Sequence, residues 1–333
     1  MKFLIIRFSS IGDIVLASPV FRCLKTQAQT AEIHFLTKQS FKAVTEANPY
    51  IDRFFYFDKD LGAVIDQLKL EDYDYVIDLH NNIRSNKVKR ALKKQSFTIN
   101  KLSIEKFLLT RLGINRMPPR HITQRSLDTV ASFGVKDDGL GLDYFIPPSC
   151  RIKDNDIPTS HQAGYIALVI GASYFTKRLP QEKLQELCKL ITHPIILLGG
   201  KEEKETGDAI AAADPVKIYN ACGKFSLNES ADLVRRSKLV ISHDTGLQYI
   251  ACAYRKPVLA IWGATSPKLA VEPYYGSKQM TGETLYENII VPNLSCQPCS
   301  NYGTKKCPKG HFKCMRQQDM PLIAEMALRR IRG

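Results

Sequence analysis

The stretch that decides the fold lies near the start of the chain, at residues 2–24, KFLIIRFSSIGDIVLASPVFRCL. The apolar run at 3–6 predicts a short buried strand, and the residues up to Gly12 predict a loop. Apolar side chains then recur at helical spacing, from Ile14 through Val20 to Leu24, which predicts a helix. Strand, loop and helix in this order indicate an α/β unit.

The same alternation continues along the chain and predicts two doubly wound halves with parallel sheets. It passes through AEIHFLT (31–37), LGAVIDQLK (61–69) and YDYVIDLH (73–80), and restarts after a proline-punctuated segment at GYIALVIGA (164–172). We predict a first domain at 1–155, a second at 156–318 and a closing amphipathic helix at 319–333. The carboxyl ends of both sheets would then face an interdomain cleft, where α/β proteins bind ligands.

Composition narrows the class of protein further. The 333 residues are enough for two domains, and the formal charge of +14 predicts an anionic partner. The N-terminus lacks the apolar core of a signal peptide, and no apolar run reaches the ~20 residues of a membrane span, so we predict a cytoplasmic location. Five scattered cysteines indicate buried, reduced thiols: Cys23, Cys150, Cys188, Cys222 and Cys252.

The first loop ends on Asp13, for which two interpretations remain open. Asp is a preferred helix cap, so Asp13 could simply cap the helix that follows. It could also be a carboxylate at the mouth of the cleft that acts as a general base. The loop carries one glycine, Gly12, and no GxGxxG pattern, which argues against a dinucleotide site.

Two loops in the second half indicate a phosphate site. The first, 171–180, combines Ser173 and Thr176 with the adjacent cations Lys177 and Arg178. Cations near a helix start oppose the helix dipole unless an anion is bound, which favours phosphate binding over a solvated Lys–Arg pair. The second segment, 242–249, is predicted to open a helix. The first amides of that helix, at Thr245, Gly246 and Leu247, would form an anion site. Asp244 is a second candidate helix cap.

A basic stretch lies between these two groups of motifs. The stretch contains twelve cations and one acid, Glu105, so it accounts for most of the net charge of the chain. They are Arg84, Lys87, Lys89, Arg90, Lys93, Lys94, Lys101, Lys106, Arg111, Arg116, Arg120 and Arg125. We predict an acidic partner here. Nucleic acid is the rival, but Phe97 and Phe107 alone make a poor stacking platform.

Four cysteines cluster late in the chain, at Cys296, Cys299, Cys307 and Cys314, with His311 nearby. Their number fits a tetrahedral zinc site, but only one CxxC pair is present. A structural zinc and a loop of reduced thiols are therefore both open.

Several motifs, taken together and in order, resemble glycosyltransferase family 9, the ADP-heptose:lipopolysaccharide heptosyltransferases. They are FLIIRFSSIGDIVLASPVFRCLK, VIDLHNNIRS, GASYFTKRLP, LLGGKEE, the stretch from NACGK (220–224) to GATSP (263–267), and CQPC followed by CPKGHFKCMR. The resemblance covers nearly the whole chain. One departure is Tyr249, where many relatives carry His.

The resemblance implies a GT-B fold, with the acceptor on the N-terminal half and a nucleotide sugar on the C-terminal half. It places the catalytic aspartate on Asp13 and the donor site on Lys177 and 244–247. We assign Ser10, Gly12, Ser173 and Thr176 to the donor site as well, and Arg84, Lys87 and Arg120 to the acceptor.

We therefore predict an inverting, metal-independent transfer of heptose from ADP-heptose to the lipopolysaccharide inner core, either lipid A–Kdo or a heptosyl acceptor. No cofactor is required for this chemistry, and the enzyme would be peripheral at the inner face of the inner membrane. The alternatives are a transferase or epimerase of the same fold with another nucleotide sugar, and a nucleic-acid-binding protein.

Overall fold

The computed structural model describes residues 1–279 and 284–332, which form two compact units. The first unit contains Met1–Leu102, Arg120–Phe145 and Gly276–Gln279. The second contains Ser103–Pro119, Ile146–Tyr275 and the described residues from 284 onward.

The first unit is built on a five-stranded parallel sheet in the order β3-β2-β1-β4-β5. The strands are β1 (Lys2–Ile6), β2 (Glu32–Lys38), β3 (Arg53–Phe57), β4 (Tyr75–Asp78) and β5 (Gln95–Thr98). The central strand β1 pairs with β2 and β4, and its residues 3–6 are fully buried. The strand order reverses between β1 and β4, so the loops after these two strands are neighbours at the ligand-binding edge of the sheet.

The second unit is built on a six-stranded parallel sheet in the order β11-β10-β9-β6-β7-β8. The strands are β6 (Ile166–Val169), β7 (Ile195–Leu198), β8 (Ile218–Asn220), β9 (Leu239–His243), β10 (Val258–Ile261) and β11 (Tyr286–Ile289). Here the order reverses between β6 and β9, where Val169 pairs with Ser242. The two loops predicted to bind phosphate therefore leave adjacent strands.

The helices follow the predicted rhythm. They are α1 (Ile11–Leu16), α2 (Ser18–Gln27), α3 (Lys42–Thr45), α4 (Leu61–Lys69), α5 (Ile83–Leu92), α6 (Ser103–Phe107), α7 (Ile122–Leu127), α8 (Thr159–Gln162), α9 (Gln181–Leu190), α10 (Lys204–Ala211), α11 (Leu227–Arg236), α12 (Gly246–Ala253), α13 (Lys313–Arg316) and α14 (Met320–Arg332). A π-helix, Leu108–Leu112, continues α6. The sequence did not predict β5 and β11, because both are edge strands that lack a continuous buried run.

The division between the units differs from the predicted one at 155. Residues Ile146–Tyr275 belong to the second unit, where the backbone N–H of Ile152 donates to Asp232 Oδ2 of α11 at 3.0 Å. The closing helix α14 is part of this unit as well, because its apolar side, including Met320 and Ile323, is buried in the core of the second sheet. The segment Ser103–Pro119, predicted to belong to the first domain, also groups with the second unit.

Candidate active site

The loop after β1 holds Asp13 in the first turn of α1, and the residue that caps this helix is Ser10. Asp13 is thus the third residue of the helix, and its predicted alternative role as the N-cap is wrong by three positions. Its Oδ2 accepts hydrogen bonds from the backbone N–H of Ser10 at 3.0 Å and from the Ser10 hydroxyl at 2.7 Å. This is the reciprocal half of a capping box, which fixes the direction of the carboxylate.

Arg7 forms an ion pair with Asp13. Arg7 Nη2 lies 2.6 Å from Asp13 Oδ1, and the Asp13 side chain remains 36% exposed. Burial raises the pKa of Asp13, but the positive charge of Arg7 and the hydrogen bonds from Ser10 outweigh it, so the pKa lies below the ordinary 3.8. The result is an ionised carboxylate that solvent or a substrate can reach.

The loop after β4 contributes groups that sequence reasoning did not assign to the site. Arg7 Nη1 donates to the carbonyl of Leu79, which links the loops after β1 and β4. Burial and the nearby charges of Arg7 and Lys101 lower the pKa of His80 to about 4. His80 is therefore neutral at pH 7, and its buried Nδ1 has no hydrogen-bond partner among the described residues. The available signal was the position of this loop directly after a strand.

The three predicted acceptor cations differ in their surroundings. Arg84 and Lys87 are exposed in the first half of α5, and the guanidinium of Arg84 lies 6.0 Å from the ring centroid of Phe8. Arg120 forms a two-pronged ion pair with Asp128, with Nε 3.0 Å from Oδ2. Arg84 and Lys87 are consequently better placed than Arg120 to bind an external anion.

The remaining predicted donor residues of the first loop are used locally. The Ser10 hydroxyl donates to Asp13, and Gly12 is buried in the second position of α1. Both belong to the first unit, whereas the loops of Lys177 and Asp244 belong to the second.

In the second unit, the loop after β6 brings Lys177 to Asp244. Lys177 Nζ lies 2.8 Å from Asp244 Oδ2, and the hydroxyl of Thr265, in the loop after β10, donates to the same oxygen at 2.8 Å. An ammonium group has three N–H donors, so the pair leaves donors of Lys177 for a second anion. Its neighbour Arg178 instead pairs with the buried Glu203, with Nη1 3.0 Å from Oε1.

Helix α12 begins at Gly246 next to this ion pair. Its N-cap is Thr245, whose side chain makes no capping hydrogen bond, so the predicted cap role of Asp244 is wrong. The first amides, of Gly246 and Leu247, therefore have no side-chain acceptor and can bind an anion. Tyr249 places its hydroxyl 3.2 Å from Asp244 Oδ1 and 2.7 Å from the Val271 carbonyl.

Two further contacts position the Lys177 loop. His243 Nε2 accepts the backbone N–H of Leu179 at 3.0 Å, and burial lowers the pKa of His243 to about 3, so the ring is a neutral acceptor. Thr176 is buried, and its hydroxyl accepts the backbone N–H of Thr304 at 2.7 Å. Thr176 is thus a positioning residue, while Ser173 is exposed on the same loop.

The four late cysteines lie on the loop after β11 and in α13, and all are free thiols. Burial and neighbouring thiols raise the pKa of Cys299, and they raise that of Cys314 to about 12. Cys296 Sγ lies 3.8 Å from His311 Nε2. In the part of the chain that the structure describes, no three His, Cys, Asp or Glu side chains gather into a group that could hold a metal ion, so the zinc site stays a prediction.

Comparison with known proteins decides the family. Residues 61–308, more than half of the chain, match the sequence profile described as glycosyltransferase family 9 (heptosyltransferase). The chain belongs to glycosyltransferase family 9.

Individual relatives agree with this family. Lipopolysaccharide heptosyltransferase 1 of Campylobacter coli is 26% identical over 289 residues, which are 80% of this chain and 84% of the relative. A family 9 structure from Veillonella parvula aligns over 99% of this chain and 97% of its own chain, at 19% identity and a TM-score of 0.76. The structure of Escherichia coli ADP-heptose lps heptosyltransferase II aligns over 98% of this chain and 100% of its own chain, at 18% identity and a TM-score of 0.65.

Membership of glycosyltransferase family 9 makes the protein a glycosyltransferase and confirms the predicted family. The two parallel α/β units and the likeness to heptosyltransferase structures confirm the predicted GT-B fold class. Among the described helices of this family 9 protein, none is long and apolar enough to cross a membrane.

Proposed function

We propose that the protein transfers a heptose from ADP-heptose to the inner core of lipopolysaccharide, on lipid A–Kdo or a heptosyl acceptor, at the cytoplasmic face of the inner membrane. The observation that carries the proposal is the accessible, ionised Asp13 carboxylate, which pairs with Arg7 in the helix that follows the central strand. Family membership supports heptosyl transfer, and the name of the E. coli neighbour supports ADP-heptose as donor.

In the proposed mechanism, Asp13 accepts the proton of an acceptor hydroxyl as that oxygen attacks the anomeric carbon. Attack from the face opposite the diphosphate inverts the anomeric configuration. Lys177 and the first amides of α12 bind the diphosphate and stabilise the charge that grows on it as the bond breaks. Because these groups supply positive charge, the proposed chemistry requires no metal.

The direct test is an assay of the purified protein with a panel of ADP- and UDP-sugars, with and without a lipid A–Kdo acceptor. We expect ADP-heptose to be the preferred donor and the new glycosidic bond to have inverted configuration, as judged by NMR of the product. Preference for a UDP-sugar would favour another transferase of this fold, and conversion of the donor without acceptor would favour an epimerase. Steeply salt-dependent nucleic-acid binding that is insensitive to Lys177→Ala would favour the nucleic-acid alternative.

Arg84 and Lys87 provide a test of the acceptor site. The double change Arg84→Glu and Lys87→Glu replaces two exposed cations in the first half of α5 with anions, so it should repel a phosphorylated or carboxylated acceptor. We expect the KM for the acceptor to rise about tenfold or more and the KM for the donor to change little. The matched control, Lys93→Glu just after α5 together with Lys136→Glu, reverses two exposed lysines of the same unit and should leave both values near wild type. An equal rise in both KM values would contradict the assignment.

A structural zinc on Cys296, Cys299, Cys307 and Cys314 is a separate proposal. Four thiolates would leave no open position on the metal, so chelation should lower the Tm without inhibiting enzyme that is still folded. Elemental analysis should then find about one zinc per chain, a value that Cys150→Ser should preserve and Cys296→Ser should reduce. Absence of metal after purification under reducing conditions without chelator would establish a reduced-thiol loop instead.

A further inference from the structure

The segment that follows the first sheet exposes apolar side chains that a water-soluble surface normally avoids. Ile104 is 74% exposed, Leu112 59% and Ile114 46%, and Phe107 lies among them. Leu109 is buried within the segment, which groups with the second unit. Four large exposed apolar side chains within eleven residues make a local patch rather than isolated surface residues.

A second segment of the same unit adjoins this patch. A cavity of about 390 Å³ is lined by Phe107 and Arg111 from one side and by Tyr302, Thr304 and Pro308 from the other. Tyr302 is exposed too. The segments 104–116 and 302–309 therefore adjoin each other at this cavity, and we call their exposed side chains together the apolar-basic face.

The charge of this face is strongly positive. Residues 104–116 carry three cations against Glu105, and residues 302–309 carry Lys305, Lys306 and Lys309 with no acid. These three lysines are exposed, and none forms an ion pair with a described carboxylate. The two segments together carry six cations and one acid beside their exposed apolar side chains.

This combination selects one partner. Cations alone would suit any polyanion, but exposed Ile and Leu gain nothing from a nucleic-acid backbone, and stacking would require more aromatic side chains than the face presents. At an anionic bilayer the same apolar side chains enter the headgroup boundary, while Lys and Arg contact lipid phosphates and Tyr stays at the interface. From this we infer that the apolar-basic face is the surface by which the protein docks on an anionic membrane. The inference rests on the proposed function in one respect, because an enzyme whose acceptor is a glycolipid has to reach the membrane that contains it.

Vesicle co-sedimentation tests the inference with the full chain. Wild type should bind vesicles of phosphatidylethanolamine with phosphatidylglycerol and not vesicles of phosphatidylcholine. The triple change Ile104→Ser, Leu112→Ser and Ile114→Ser should weaken binding about tenfold or more. The matched control, Leu70→Ser, Val216→Ser and Leu322→Ser, removes three exposed apolar side chains elsewhere and should bind like wild type. Equal Tm values would show that both triple variants fold.

Charge is tested in the same assay. Lys305→Glu, Lys306→Glu and Lys309→Glu together should weaken binding about a hundredfold, whereas Lys59→Glu, Lys136→Glu and Lys189→Glu should have little effect. The inference would be overturned if the apolar triple variant bound vesicles as tightly as wild type. It would also be overturned if only charge reversal reduced vesicle binding and wild type bound single-stranded DNA as tightly as vesicles. Transfer to a soluble, acyl-free acceptor should survive in every variant. Failed docking with intact transfer would therefore refute this inference, and failed transfer with intact docking would refute the proposed function.

Discussion

Asp13→Asn is expected to reduce turnover by about a hundredfold to ten-thousandfold, because the amide cannot accept a proton from the acceptor. The amide oxygen can still accept the Ser10 N–H that Asp13 accepts in the wild type, so the fold and the Tm should be retained. Affinity for ADP, measured by calorimetry, should also be retained, since the proposed diphosphate groups lie in the second unit. Single-turnover transfer rates measure the effect directly.

Asp60→Asn is the matched control for this change. Asp60 caps α4 through its carboxylate, which accepts the backbone N–H of Gly62 at 2.7 Å, and it has no assigned role in the reaction. Its replacement should leave transfer near wild type. Because the pKa of Asp13 is lowered, the carboxylate stays ionised around pH 7, and protonation of Asp13 should not reduce the turnover rate in that pH range. If Asp13→Asn transfers sugar within a few-fold of wild type, Asp13 only supports the start of α1.

Lys177→Ala should weaken ADP binding by about tenfold to a hundredfold and slow transfer, because a charge-assisted hydrogen bond to phosphate is lost. The change also leaves Asp244 without the ion pair at 2.8 Å, so its uncompensated carboxylate would repel the diphosphate. We therefore expect the double variant Lys177→Ala with Asp244→Asn to recover part of the affinity. Lys177→Arg should retain part of both binding and transfer.

Lys183→Ala controls for the general loss of a lysine in this unit. Lys183 forms a helical ion pair with Glu186 at 2.9 Å on α9, and its replacement should leave ADP affinity unchanged. Calorimetric titration with ADP compares the four variants under one condition. Unchanged affinity in Lys177→Ala would remove Lys177 from the donor site and leave it with a structural role toward Asp244.

Much of the fold and the location of the candidate site could be predicted from the sequence. Short apolar runs that alternate with helical patterns are a local property, and they indicated nine of the eleven strands in the described residues. In a parallel sheet the carboxyl ends of the strands lie at one edge, so chemistry-bearing residues directly after strands could be assigned to ligand-binding loops. Asp13, Lys177 and Asp244 were found in this way.

The pairing partners of these residues could not be predicted. Ser10 and Asp13 are both good caps, and only the backbone geometry shows that Ser10 caps α1 and leaves the Asp13 carboxylate to Arg7. Lys177 and Asp244 are 67 positions apart, and they meet because β6 and β9 are neighbours in the sheet. The neutral state of His80 likewise depends on burial beside Arg7 and Lys101.

By itself, the sequence determined the order of most strands and helices, the two-sheet class and which candidate site residues lie on loops after strands, because backbone preference and burial leave local periodic patterns. The tertiary structure alone decided which charges neutralise one another, and it assigned residues 103–119 to the second unit, beside the cysteine-bearing loop. Those outcomes depend on distances between segments far apart in the chain. Such distances leave no pattern in a single sequence, because the groups that meet in space have no fixed separation along the chain.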